Sequence, residues 1–253
     1  MLHLGTNMWR FPPANLQISS PEVHLWRANL DLPTSEVTKL AANLSEDELA
    51  RANRFYFERD RRRFIIGRGR LREILAGYLQ QQPAELEFVY SDRGKPSLKD
   101  SGSYRQIEFN LSHSHELVVY AVSCDRAVGI DIEYLRSLPD AEKLAQRFFS
   151  PQETAIINSL PPEKRQLAFF CGWTSKEAYL KATGAGIAKL ADVEVSVSPT
   201  LPAQLLTVNG SSCFGDRWSL QRFTPAPNYI ATVAVPGNTQ KLNYFQLFSE
   251  TTH

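Results

Sequence analysis

Sulfur chemistry has little to work with in this chain. Its three cysteines, Cys124, Cys171 and Cys213, are widely spaced and form no C-x-x-C pair, so neither a zinc site nor a disulfide framework is expected, and a reducing cytoplasm fits best. Charge of one sign is also missing. Lys plus Arg number 28 against 27 Asp plus Glu, a net charge of +1, which argues against coating nucleic acid through bulk positive charge. Long apolar runs are absent too. The longest near the middle, Leu117 to Val122, falls far short of the roughly 20 residues that span a bilayer, so no membrane partner is expected. Near the start, Pro12, Pro13, Asn15 and Gln17 interrupt any signal-like stretch. Finally, no G-x-x-x-x-G-K-[ST], G-x-G-x-x-G or G-x-S-x-G motif occurs, leaving P-loop, dinucleotide-binding and α/β-hydrolase readings without support.

What is present describes a globular chain of 253 residues, 43% hydrophobic and 22% charged, able to bury a sizeable core. The pattern Val23-His24-Leu25-Trp26 up to Leu30 predicts a strand. Two helices follow. Ser45 and Glu48 make a capping box ahead of Leu49, and Phe64, Leu71, Ile74, Leu75 and Tyr78 recur at helical spacing until Gln80 to Pro83. Strands are predicted at Leu86–Tyr90, Ile107–Leu111, Leu117–Cys124 and Ala127–Leu135, with a turn-rich segment over Asp92–Ser103. The order then repeats: helices near Ser150–Leu160 and Glu163–Thr183, and strands at Val193–Val197, Arg217–Phe223, Tyr229–Val235 and Leu242–Phe248. Grouped strands and helices favour an α+β fold, and the repeated order suggests two similar α+β halves, 1–125 and 126–253.

Four clusters could carry chemistry. In Gly129-Ile130-Asp131-Ile132-Glu133, strand alternation sends Asp131 and Glu133 to one face, as oxygen ligands for a hard cation or simply as a solvated face. In Trp173-Thr174-Ser175-Lys176-Glu177-Ala178-Tyr179-Leu180-Lys181, Glu177 and Lys181 are four apart on a helix, side by side as chemistry or as a surface ion pair. Arg59, Arg61, Arg62, Arg63, Arg68, Arg70 and Arg72 offer a cationic strip that suits phosphate oxygens, or a solvated helix face. Asn110-Leu111-Ser112-His113-Ser114-His115, preceded by Arg93-Gly94-Lys95-Pro96, suits a phosphate-rich ligand. Ser112 and His113 are strand neighbours facing opposite ways, which disfavours a Ser/His hydrolase.

In this order, Gly94-Lys95-Pro96, Phe109-Asn110-Leu111-Ser112-His113-Ser114, Gly129 to Glu133, Arg147-Phe148-Phe149-Ser150 and Trp173 to Lys181 resemble the Sfp-like 4'-phosphopantetheinyl transferases, over roughly residues 50 to 190. The resemblance implies a pseudo-dimeric fold with the active site at the junction of its halves. It implies transfer of the 4'-phosphopantetheine of coenzyme A to a serine of an apo acyl- or peptidyl-carrier protein, with release of 3',5'-ADP. Asp131, Glu133 and Glu177 match Mg²⁺ ligands, and Lys181 a lysine at the pyrophosphate. Lys95, Ser112 and His113 match residues at the nucleotide end, Arg63 an arginine near the 3'-phosphate, and Glu153 a proposed general base. Ser150-Pro151-Gln152-Glu153 is equally a well-formed capping box. A Mg²⁺-dependent phosphohydrolase and a non-catalytic coenzyme A or carrier-binding module are the alternatives. A cytoplasmic monomer is expected, and the segment from Pro139 to Pro162, with Phe148, Phe149, Ile156, Ile157 and Leu160, is the candidate surface for the carrier.

Overall fold

The computed structural model describes residues 8–99, 106–213, 218–238 and 241–247. The first half runs β1 (Glu22–Asn29), α1 (Thr34–Ala41), α2 (Glu46–Ala52), α3 (Glu58–Leu79), β2 (Phe88–Tyr90), β3 (Pro96–Leu98), β4 (Ile107–Ser114) and β5 (Leu117–Cys124). The second runs β6 (Gly129–Tyr134), α4 (Ala141–Phe148), α5 (Pro151–Ser159), α6 (Pro162–Thr183), β7 (Val193–Val195), β8 (Leu205–Val208), β9 (Ser211–Ser212), β10 (Trp218–Phe223), β11 (Tyr229–Pro236) and β12 (Lys241–Gln246). Short 3₁₀ segments, Pro83–Glu85 and Ile187–Asp192, precede β2 and β7. Residues 100–103 of the expected turn, Arg217 and Phe248 lie outside the described residues.

Two sheets meet face to face. The first has the order β12-β1-β5-β4, the second β10-β11-β6, and all pairings but β1 with β12 are antiparallel. Alternation along β5 explains the layering. Val118, Tyr120 and Val122 enter a core shared with Ile66, Leu71 and Leu75 of α3, whereas Val119 and Ala121 enter a second core with Ile130, Ile132, Ala231 and Val233. On the far side, Ala178 and Leu180 of α6 pack with Leu220 and Ala234. The layers are therefore helix, sheet, sheet, helix.

The described α+β architecture is the expected one, but the sequence pattern missed β3, inside the expected turn-rich segment, and β8 and β9, and three further features were not legible in it. The helix α1 buries only Val37 and Leu40, too few positions to mark a period. The helix α4 buries Ala145 alone. Most tellingly, β12 leaves the second half and pairs parallel with β1, Val23 opposite Leu242 and Trp26 opposite Phe245. Hydrophobic alternation marks a strand but does not name its neighbour.

Candidate active site at the seam of the two halves

The two sheets are joined along β4 and β6 by side chains instead of a backbone ladder. Asn110, Ser112 and Ser114 share one face of β4, the face turned away from α3. Asn110 Oδ1 accepts from Ile130 N–H at 3.0 Å. Ser114 Oγ accepts from Tyr134 N–H at 3.0 Å and donates to Glu133 Oε2 at 3.0 Å. Ser112 Oγ donates to Asp131 Oδ1 at 2.9 Å. A polar period of two in an otherwise apolar strand was the sequence signal for this stitching.

Because Ile130 and Ile132 fill the core between the sheets, Asp131 and Glu133 face α6. Gly129 permits the close approach: a Cβ there would lie 2.0 Å from the carbonyl oxygen of Ala178, next to Glu177. Lys181 reaches back across the seam, its Nζ donating to Asp131 Oδ1 at 2.6 Å and to Ser112 Oγ at 2.8 Å. The helical spacing of Glu177 and Lys181 had suggested a mutual ion pair. Instead the ammonium takes Asp131, 7% exposed at the side chain, a partner that is scarcely hydrated.

The carboxylates strain against one another. Burial, then the Asp131 charge, pushes Glu177 up to about 7, with Glu133 adding and Lys181 opposing. Glu133 is raised for the same leading reasons, burial and Asp131. Asp131 Oδ2 is out of solvent contact and has no hydrogen-bond partner. As they stand, no three His, Cys, Asp or Glu among the described residues are grouped closely enough to hold a metal ion. The donor set nevertheless suits a hard cation, since all three groups are oxygen ligands and one oxygen lacks a partner.

His113 leaves the other face of β4. With Phe55, Arg63, Arg68, Leu111 and Val118 it lines a cavity of about 360 Å³ between α3 and the first sheet. Burial, then the Lys181 and Arg63 cations, lowers its pKa and so favours the neutral ring. The continuous cationic strip expected along α3 is not formed. Arg61 pairs with Glu58 and Arg70 with Glu73, Arg62 donates to Leu32 O, and Arg72 is buried against Glu48. Arg68 is also buried on Glu48, its Nε 3.4 Å away. Arg63 has neither ion pair nor hydrogen bond among the described residues, and its Nε is buried without a partner.

Two expected site residues are engaged elsewhere. Lys95 Nζ donates to the carbonyls of Lys181 at 2.7 Å and Ala182 at 3.3 Å, at the end of α6. Glu153, 2% exposed, caps α5: its Oε2 accepts from Ser150 N–H at 2.8 Å and its Oε1 from Val195 N–H at 2.8 Å. Lys176 Nζ lies 2.6 Å from the same Oε2. No hydrogen bond or ion pair links Glu153 to Asp131, Glu133, Glu177 or Lys181 among the described residues. Of the expected docking segment, Phe149 and Ile157 are core, Phe148 and Leu160 pack against it, and Ile156 is 45% exposed.

Residues 127–234 match the family model of the 4'-phosphopantetheinyl transferase superfamily, and residues 31–125 that of the 4'-phosphopantetheinyl transferase N-terminal region. The chain is 52% identical over 229 residues to the 4'-phosphopantetheinyl transferase HetI of Nostoc sp., covering 90% of this chain and 94% of that protein. The chain belongs to the 4'-phosphopantetheinyl transferase family. It is 37% identical over 152 residues to the 4'-phosphopantetheinyl transferase psf-1 of Bacillus pumilus, covering 60% of this chain and 63% of that one. A 4'-phosphopantetheinyl transferase of Bacillus subtilis is 31% identical over 160 residues, 62% of this chain and 69% of its own. Members move the 4'-phosphopantetheine of coenzyme A onto carrier proteins, and this transferase is an enzyme of that kind. The phosphohydrolase and non-catalytic readings are not favoured. Among the described residues no helix is long and apolar enough to cross a membrane.

Proposed function

We propose that transfer takes place at the seam, with Asp131, Glu133 and Glu177 as ligands of Mg²⁺ and Lys181 at the pyrophosphate of coenzyme A. The observation that carries this reading is the convergence of Glu177, Asp131 and Lys181 across the β4/β6 seam, with Asp131 Oδ2 unpartnered. Bound there, the cation would supply neutralisation of charge developing on the pyrophosphate. The chain's own groups do the rest. Lys181, held by Ser112, presents a fixed ammonium to phosphate oxygens as 3',5'-ADP departs. Neutral His113 and unpaired Arg63 share one cavity, which supports their reading as the end that holds the 3'-phosphate.

In the displacement, the serine oxygen of the carrier forms a bond to the phosphorus of the phosphopantetheine arm. The bond from that phosphorus to the departing 3',5'-ADP breaks, and the serine proton passes to a carboxylate of the cluster or to water. Glu153 has no part in these steps, since its oxygens are taken by Ser150 N–H, by Val195 N–H of β7 and by Lys176 of α6. The acceptor is an acyl- or peptidyl-carrier protein, met through Ile156 and its surroundings. A cytoplasmic monomer without nucleic-acid or membrane partners fits the near-neutral charge. The test is the intact mass of apo-carriers incubated with coenzyme A and Mg²⁺. A phosphopantetheine mass gain that Asp131→Ala abolishes supports the site, and normal gain with Asp131→Ala removes it.

A further inference from the structure

The turn between β2 and β3 belongs to the first half, yet its two cations end on the last turn of α6 in the second. Its shape is set locally. Gly94 has φ +76°, Gly94 N–H donates to Ser91 O at 2.8 Å, and Lys95 N–H to Ser91 Oγ at 3.1 Å. From this turn Lys95 reaches the carbonyls of Lys181 and Ala182, and Arg93 Nη1 donates to Gly184 O at 2.6 Å. These carbonyls are ones that a helix ending at Gly184, φ +71°, leaves without intrahelical partners. Arg93 also lies against Gly186, where an added Cβ would meet its Cδ at 3.4 Å.

We propose that Arg93 and Lys95 are positioning residues, a clamp from the first half that fixes the end of α6 and so the placement of Lys181 across the seam. Lys181 reaches Asp131 and Ser112 with its Nζ while its own carbonyl oxygen is held by Lys95. Both ends of that residue are thereby fixed to elements outside α6. Cations at a helix C-terminus are also favoured by the helix dipole, more so when partly buried, as Lys95 is. A lysine committed in this way acts on the donor through Lys181, not by touching the phosphates.

The inference rests on the seam being the site of transfer, so one readout is independent of turnover. Arg93→Ala, Arg93→Lys, Lys95→Met and Lys95→Arg are made in the full chain. Backbone hydrogen exchange is followed in peptides covering 177–186 and, as a control, α3. The clamp requires at least roughly five-fold faster exchange in the 177–186 peptide for Arg93→Ala and Lys95→Met, with α3 unchanged and both conservative variants near the parent. In kinetics it requires a fall of about ten-fold in kcat for Lys95→Met, with the KM for coenzyme A within about three-fold, and rescue by Lys95→Arg. Should Lys95→Met fail to fold, the exposed Arg93 carries the test alone. A raised KM for coenzyme A with kcat retained would overturn the proposal and return Lys95 to the donor. Unchanged exchange at 177–186 would overturn it whatever the fate of the catalytic reading.

Discussion

The two long helices, α3 and α6, each have 22 residues, and the fifteenth of each is a buried cation, Arg72 in one and Lys176 in the other. Each cation meets a glutamate from the capping box of the preceding helix, Arg72 Nε to Glu48 Oε2 at 2.6 Å and Lys176 Nζ to Glu153 Oε2 at 2.6 Å. Each also donates to carbonyls, of Pro83 and Leu86 for Arg72, of Phe148 and Leu190 for Lys176. Each lies over a ring, Phe88 at 5.0 Å or Phe149 at 4.6 Å. The same device appears twice. We propose that the repeated device is a means of docking a long helix, with Glu153 as its member in the second half. The halves part company further along. The next residue is glutamate in both, Glu73 and Glu177, but the twentieth is Gly77 in α3 and Lys181 in α6. One half keeps the lysine that crosses the seam and the other does not.

The comparison can be broken most forcefully at its matched cations. Lys176→Met leaves buried Glu153 without a cation and should cost about 3 to 5 kcal/mol in urea unfolding, whereas Arg72→Met leaves Glu48 its Arg68 partner and should cost less. Adding Glu153→Gln to Lys176→Met should recover a large part of the loss. If Lys176→Met proves harmless while Arg72→Met does not, the two devices are not equivalent.

Acid should distinguish the halves next. Burial lowers His24, on β1 of the first sheet, from 6.5 to about 4, and its Nδ1 lies 2.7 Å from Tyr78 Oη. A pKa depressed by folding contributes stability that is complete above 6.5 and is lost as pH falls from 6.5 through about 4. The loss attributable to His24 is about 3 kcal/mol. Unfolding free energies at pH 7 and pH 4.5 check this, and His24→Gln should flatten the slope.

A smaller effect is expected at the stitches. Asn110→Ala strips the acceptor from a buried N–H of Ile130 and should cost about 1 to 3 kcal/mol. Ser114→Ala, which also frees Glu133, should cost about 1 kcal/mol and leave the melting profile otherwise unchanged. Least of all for stability is Ile156→Ala, within about 0.5 kcal/mol for so exposed a position. Its expected signature is a several-fold higher KM for apo-carrier with the KM for coenzyme A unchanged.

Much of this was legible in the residue pattern because it depends on local periods. The alternation of Ile130 and Ile132 with Asp131 and Glu133 gave the facing of the carboxylates, and the capping boxes at Ser45 and Ser150 marked helix starts that the structure has. What was not legible depends on contacts distant in sequence. Glu153 as base and Glu153 as buried partner of Lys176 are the same sequence, and only the packing of α5 on α6 separates them. The strip of arginines on α3 was dismantled by acids on its own helix and on α2 and, at Arg62, by the Leu32 carbonyl, leaving Arg63 as the member without a partner among the described residues. Lys95 lies 86 residues from the carbonyl it caps.

The division of labour between the duplicated glutamate and the seam is tested most directly by single-turnover transfer to apo-carrier at saturating coenzyme A and Mg²⁺. The variants are Glu153→Gln and Glu177→Gln, compared at a temperature where both are fully folded. The account predicts a loss of about 100-fold or more for Glu177→Gln and less than about ten-fold for Glu153→Gln, whose glutamine still caps α5. A loss for Glu153→Gln as large as that for Glu177→Gln, in a variant shown to be folded, would contradict it.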